Sequence, residues 1–315
     1  MTIPTSVDIQ AAQSFLVNHL RQTPTDLALI GEGAWSRCFG FRQDDAALVI
    51  RFGNHIDDFQ KDQMAYAYAT TDLPVPKVYE IGEAFGGYYA ISTRAYGTAL
   101  EQLSADAWLA VIPAVVAALE SLRIANISTT TGWGGWGVDG NAPHASWSSH
   151  LLVVDQDTPD RRTYGWRARL ATLPEGEAAF TWGYDLLKQV ASDTVPRTLL
   201  HCDLINRNVL VDGDRLSGVF DWGCSIYGDH LYELAWFEFW APWMPQLDTG
   251  YLRSSLEAHW QAIGYEPPNK AARLAACYLH IGLDHLAYNA YLGDWPTLLA
   301  TAERMRNLVT SLSAW

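Results

Sequence analysis

HCDLINRNVLVDGDRLSGVFDWG (201–223) is the stretch on which the reading of this chain turns. His201 and Asp203 close the apolar run TLL (198–200), and Asn208 follows Asp203 by five positions. Two short apolar runs flank Asp212-Gly213, a dipeptide that turns a hairpin. Asp221 ends the second run. A hairpin brings its two ends together, so Asn208 and Asp221 are expected side by side, with Asp203 projecting from the preceding loop. Two carboxylates and one amide offer hard oxygen ligands of the kind Mg²⁺ takes beside substrate phosphates. With Asn208 and Asp221 as the metal pair, Asp203 is left to receive or orient a substrate hydroxyl proton.

Each piece alone has an ordinary explanation. An Asp before Gly is turn chemistry, and an Asn opening a strand is a local cap. The ordered set is different: H-x-D, an Asn five residues on, and D-x-G closing a hairpin is a kinase arrangement. Upstream, GEGAWS (31–36) separates two strand-like runs, and a Gly-x-Gly turn lets backbone N–H groups approach phosphates. Ser36 stands where a third glycine is usual and adds a hydroxyl. In VIRF (49–52), Arg51 occupies the strand position where kinases place a phosphate-contacting Lys, with Asp62 on the next helix as its partner. Lys61 is an alternative source of that contact.

Around these motifs the periodicity divides the chain. Residues 8–22 have helical spacing with Asp8 at the N-terminus. Residues 27–41, 46–52, 74–85 and 87–95 read as strands, with turns at Asp44-Asp45 and Gly86-Gly87 and a helix over 57–71. After Gly97 the spacing predicts helices over 105–125, 177–193, 229–241, 250–263, 270–292 and 295–313. A Gly/Trp-rich loop, TGWGGWGVDGNAPHASW (131–147), and the 209–222 hairpin interrupt them.

The 315 residues are 49 % hydrophobic and 18 % charged, enough to bury a sizeable core and long enough for two lobes. A formal charge of −14 argues against a nucleic-acid partner. Residues 1–97 carry 7 Lys/Arg against 11 Asp/Glu, and 98–315 carry 14 against 24. The four cysteines show neither CxxC nor zinc-ligand spacing and read as thiols of a reducing compartment. The N-terminus lacks the basic start and apolar run of a secretory signal. No run reaches about 18 uninterrupted apolar residues. The expectation is a cytoplasmic, soluble monomer with no membrane partner.

The strings EGAWSRCF (32–39), LPVPKVYEIGE (73–83), AISTRAYGTALEQL (90–103), TGWGGWG (131–137), HCDLINRNVLV (201–211), VFDWGCSIYGDHLYELAWFEFWAPW (219–243) and IGLDHL (281–286) run in one order. In that order they resemble the aminoglycoside phosphotransferases, and within them the hygromycin-type branch. The resemblance implies an α+β, two-lobed protein-kinase-like fold. Its N-terminal lobe, an antiparallel sheet with a helix, binds nucleotide (1–96). Its larger, mainly helical C-terminal lobe is catalytic and binds substrate (97–315). It implies ATP as donor, Mg²⁺ as cofactor and a cationic aminoglycoside as acceptor. Asp203 is then catalytic, with His201 in the same motif, and Asn208 and Asp221 hold the metal. Gly31, Gly33 and Ser36 cover the triphosphate, Arg51 and Asp62 form the phosphate pair, and Thr93 to Ala95 form the hinge that holds adenine. Asp284 matches a position contacting antibiotic amines, with Glu233, Glu238, Trp240 and Trp243 in the same pocket.

Two departures stand out. Cys202 replaces the family's glycine in H-G-D, and Arg51–Asp62 replaces Lys–Glu. The acidic second half fits a polycationic acceptor, although most single carboxylates there are expected to be solvated helix faces. Trp rings stack on sugars or ammonium groups; Trp236 and Trp240, four apart, equally suit a core. Kinases of choline, homoserine or a biosynthetic intermediate share this scaffold, and so does a nucleotide-binding pseudokinase. Neither resistance nor biosynthesis is fixed by these residues.

Overall fold

The structure is a computed structural model, described over residues 7–33 and 36–312. Ala34 and Trp35 of the GEGAWS turn, and the end of the last expected helix at 313, lie outside the described residues. The chain forms two compact units. One takes the chain up to Leu103 together with Gly137–Gly140 and Asp203–Cys224; the other takes Ser104–Trp136, Asn141–Cys202 and the chain from Ser225. This division differs from a single cut at 96/97: the first unit runs to Leu103 and also takes Gly137–Gly140 and the Asp203–Cys224 segment.

The first unit begins with α1 (Ile9–Leu20), whose N-cap Asp8 accepts a hydrogen bond from Ala11 N, worth about 1 kcal/mol. Strands β1 (Thr25–Glu32), β2 (Ser36–Gln43) and β3 (Ala46–Gly53) precede α2 (Ile56–Ala65), and β4 (Val78–Ala84) and β5 (Gly87–Thr93) follow it. They form one antiparallel sheet in the order β1-β2-β3-β5-β4. Asp44 turns β2 into β3 with φ +52°, the left-handed conformation that Asp tolerates in tight hairpins. The β4–β5 turn uses Phe85 and Gly86, not Gly86-Gly87, because Ala84 pairs with Gly87. The helix expected over 57–71 ends at Ala65 and tightens into a 3₁₀ turn, Tyr66–Tyr68. Phe39, Phe41, Ile50, Phe52 and Ile91 pack with Ala12 and Leu16 of α1. Phe59 of α2 packs with Val78 and Ala90.

A short strand β6 (Thr98–Ala99) pairs with Val209–Asp212, which forms the expected hairpin with Arg215–Val219. Gly97 is required where it stands: its φ is +146°, and a Cβ would lie 2.3 Å from Val211 O.

The second unit is helical: α3 (Ala105–Ile124), α4 (Trp147–Leu152), α5 (Trp166–Leu170), α6 (Pro174–Val190), α7 (Leu231–Trp240), α8 (Thr249–Ala262), α9 (Lys270–Leu292) and α10 (Trp295–Ser311). A small sheet joins Gly134–Gly135, Ile226–Gly228 and Thr198–Leu200. Trp108, Trp136, Trp147 and Trp166 are fully buried in this unit, which accounts for much of the tryptophan content as core. α3 is long and apolar enough to cross a membrane, with a window of mean hydropathy 1.7. Counting uninterrupted apolar residues overlooks it, because Asp106, Glu120 and Arg123 break the run. Here Trp108, Val111, Val115, Leu119 and Leu122 of α3 are core residues.

Candidate active site

Alternation along β3 decides which side chains meet a ligand. Leu48, Ile50 and Phe52 are buried, while Val49 and Arg51 point to the opposite face and line a cavity of about 620 Å³. Their cross-strand neighbours Cys38, Ala90 and Ser92 line the same cavity. Arg51 pairs with Asp62 and packs its guanidinium 4.6 Å from the Phe59 ring centroid. The other Asp62 oxygen accepts from Trp222 N at 2.7 Å. Burial raises the Asp62 carboxyl to about 6 against the pull of Arg51, and the guanidinium is pushed further up. The pair is charged at neutral pH. Lys61 Nζ donates to Gly223 O at 2.9 Å, and Lys61 is not among the residues that line the cavity.

The loop after residues 198–200 closes on Asp203. Asn206 Nδ2 donates to one carboxylate oxygen at 2.6 Å, and Asn208 Nδ2 donates to the other at 2.8 Å and to the backbone oxygen at 2.9 Å. Asn206, Asn208 and Asp221 line the cavity. Asn206 was not singled out in the sequence; its spacing of three from Asp203 is the only signal it gives. Asp221 has φ +66°, and its half-exposed carboxylate lies 3.8 Å from Arg51.

These residues suit Mg²⁺. The Asn208 amide nitrogen is spent on Asp203, which leaves Oδ1 as its ligand atom. Among the described residues no group of three or more His, Cys, Asp or Glu forms a metal cage, so the ion would be held by one amide, one carboxylate and phosphate oxygens.

Gly31, Gly33 and Ser36 also line the cavity. A Cβ on Gly33 would meet nothing within 4 Å, so this glycine keeps space open and is not forced by packing. At the hinge, Thr93 N donates to Lys77 O and Arg94 N to Ala47 O. The Ala95 N–H takes no partner among the described residues and lines the cavity with Thr93.

The model of the phosphotransferase enzyme family (APH) matches residues 28–266. The chain belongs to that family. Hygromycin-B 4-O-kinase of Escherichia coli is 31 % identical over 290 residues, 90 % of this chain and 80 % of that protein. A thermostable mutant of aminoglycoside phosphotransferase APH(4)-Ia, in a ternary complex with AMP-PNP and hygromycin B, superposes with a TM-score of 0.83 at 28 % identity, covering 97 % of this chain and 100 % of that one. Spectinomycin phosphotransferase APH(9)-Ia, at 11 % identity and a TM-score of 0.55 over 96 % of this chain and 94 % of its own, shares the fold. The kinase-like, α+β fold expected from the sequence is the fold of this phosphotransferase.

In the second unit the residues expected on the acceptor side have different surroundings. Glu233 is buried, and its Oε1 accepts from His201 N at 2.5 Å and Cys202 N at 2.9 Å. It thereby holds the backbone of the two residues that precede Asp203. Its Oε2 is buried without a partner, and burial pushes the carboxyl up to about 7. His201 is fully buried and is not among the residues that line the cavity. Glu238 is clamped by Arg253 at 2.5 and 2.7 Å and bonded by the Tyr278 hydroxyl, a structural ion pair. Trp240 packs between Trp236, Trp243 and His285, with ring centroids 5.8, 5.3 and 4.6 Å away. Trp243 is exposed. Asp284 is half-exposed and lies 3.3 Å from Arg161.

Proposed function

We propose that this phosphotransferase uses MgATP to phosphorylate a hydroxyl of an aminoglycoside of the hygromycin B type. The observation that carries the reading is Asp203 fixed by Asn206 and Asn208 beside a cavity that also holds Arg51 and Asp221. Asp203 orients the acceptor hydroxyl and takes its proton. The hydroxyl oxygen bonds to the γ-phosphorus as the bond from phosphorus to the β,γ-bridging oxygen breaks, and ADP leaves. Magnesium, held by Asn208 and Asp221, supplies charge neutralisation on the phosphates. Arg51, kept in place by Asp62, adds a cationic contact, and Ala95 N–H receives the adenine edge. Asp284 and the exposed Trp243 are the acceptor contacts that remain open after Glu233 and Glu238 are set aside. Hygromycin B, which names one relative's activity and is bound in the other's structure, supports this acceptor class. The four cysteines form no disulfide, which supports a cytoplasmic setting.

The test is an ATP transfer assay with Mg²⁺ on hygromycin B, other aminoglycosides, choline and homoserine, with products read by mass. Phosphorylated hygromycin B, lost in Asp203→Ala, is the expected result. Product only on choline or homoserine would replace the acceptor class. ATP binding without any product would leave a pseudokinase.

A further inference from the structure

Six charged residues line the nucleotide cavity: Glu32, Asp62 and Asp221 against Arg51, Arg94 and Arg207. The wall is neutral overall, yet its occupant is a polyanion. Two of the three cations are engaged. Arg51 is bound to Asp62 and approaches Asp221. Arg94 lies 4.6 Å from the Tyr96 ring centroid. Arg207 is exposed and makes no hydrogen bond, ion pair or ring contact among the described residues. Its neighbours Asn206 and Asn208 both spend their amides on Asp203.

The backbone adds a second observation. Asn206 and Arg207 have φ of +64° and +68°. Asn accepts the left-handed region readily; Arg does so far less readily. A long cationic side chain thus stands at a position where Asn or Gly would fit the backbone better. Strain of this kind, found next to reacting groups, points to function.

Its place is fixed by the chain. Consecutive Cα atoms across a trans peptide are about 3.8 Å apart, and the described chain has no cis peptide bond. The Arg207 Cα is therefore adjacent to that of Asn208, the proposed metal ligand. Arg207 lines the same cavity wall as Asn208 and Asp221.

We propose that Arg207 contacts the γ-phosphoryl oxygens of bound ATP and stabilises the charge they carry during transfer. Arginine suits this role, because its planar fork matches phosphate geometry and is always charged. The proposal rests on the phosphotransferase reading above and names a catalytic cation within it.

The test compares Arg207→Asn, which keeps a residue at ease with positive φ, and Arg207→Lys, which keeps the charge. Binding of ADP and of AMP-PNP is measured by calorimetry, and transfer by steady-state kinetics. Arg207→Asn is expected to bind ADP as the wild type does, to bind AMP-PNP roughly tenfold more weakly, and to lose about 10²-fold in kcat. Arg207→Lys is expected to recover part of both. Wild-type kcat in Arg207→Asn, or equal weakening of ADP and AMP-PNP, overturns the proposal. If the wild type binds both nucleotides but phosphorylates no acceptor, the acceptor reading fails while the ADP to AMP-PNP ratio still judges Arg207. If the wild type binds neither nucleotide, both readings fall.

Discussion

The carboxamide of Asn208 reaches back five residues and donates to both the carboxylate and the backbone oxygen of Asp203, at 2.8 and 2.9 Å. The proposed metal ligand thereby fixes the proposed base. Asn208→Ala is expected to act twice: the Mg²⁺ needed for half-maximal rate rises, and kcat falls even at saturating Mg²⁺. Asp203→Asn is expected to lose about 10²- to 10⁴-fold in kcat with ATP binding intact. A Mg²⁺ titration of initial rates separates the two variants. An Asn208→Ala enzyme fully rescued by Mg²⁺ would limit that residue to the metal.

Asp284 and Glu238 look alike in sequence and are expected to behave oppositely. Glu238→Gln breaks the Arg253 and Tyr278 contacts. It should cost about 3 kcal/mol of stability and leave the acceptor KM unchanged. Asp284→Asn should raise the acceptor KM roughly tenfold, about 1.4 kcal/mol of binding, with little change in Tm. Arg161→Ala, by freeing the Asp284 carboxylate, should lower that KM. Thermal melts run beside acceptor kinetics read all three.

The buried Glu233 carboxyl makes a pH prediction. Its folded pKa of about 7 lies above the usual value of 4.5 because burial disfavours the charge. A raised carboxyl pKa stabilises below the unfolded value, and that contribution is lost as pH rises through the folded one. Glu233→Gln stays neutral, so its stability relative to the wild type should improve as pH climbs from about 4.5 to 7. His230 and His280, held neutral down to about 4 and about 3 by burial, slope the opposite way in both proteins. They cancel when variant and wild type are compared. A difference in Tm that is flat with pH would show that Glu233 does not titrate there.

Cys202 sits at φ +63°, where this chain departs from the family's glycine. Gly at this position relieves about 1 kcal/mol of backbone strain and gives up a comparable thiol burial. Cys202→Gly is expected to melt near the wild-type temperature and keep its activity. Cys202→Val, β-branched in the left-handed region, should destabilise strongly. A large loss of Tm in Cys202→Gly would mean that the buried thiol matters more than the backbone.

The donor side of the site was legible because it rests on local rules. VIRF gave Arg51 by its strand position after the glycine turn. Asp62 followed as a carboxylate on the next helix, and the two pair. A hairpin set Asn208 beside the Phe220-Asp221 end of its second strand, where Phe220 N donates to Asn208 O. The acceptor side was not, because its chemistry depends on long-range partners. Glu233 meets backbone 32 residues away, and Glu238 meets Arg253 from another helix. One sequence signal did exist. LYELAWFEFW is apolar on every face, and such a helix is buried all round. Its two carboxylates, Glu233 and Glu238, are accordingly buried with it.

The packing of Asp203–Cys224 with the N-terminal residues bears on how the protein is made. During synthesis the five-stranded sheet can assemble once Leu103 has emerged from the ribosome. Asp203, Asn208, Asp221 and Arg207 arrive only after the intervening helices have been translated. The first unit thus waits, unfinished, for its last strands. A truncated chain ending at Leu103 would carry the glycine turn and the Arg51–Asp62 pair but no chemistry.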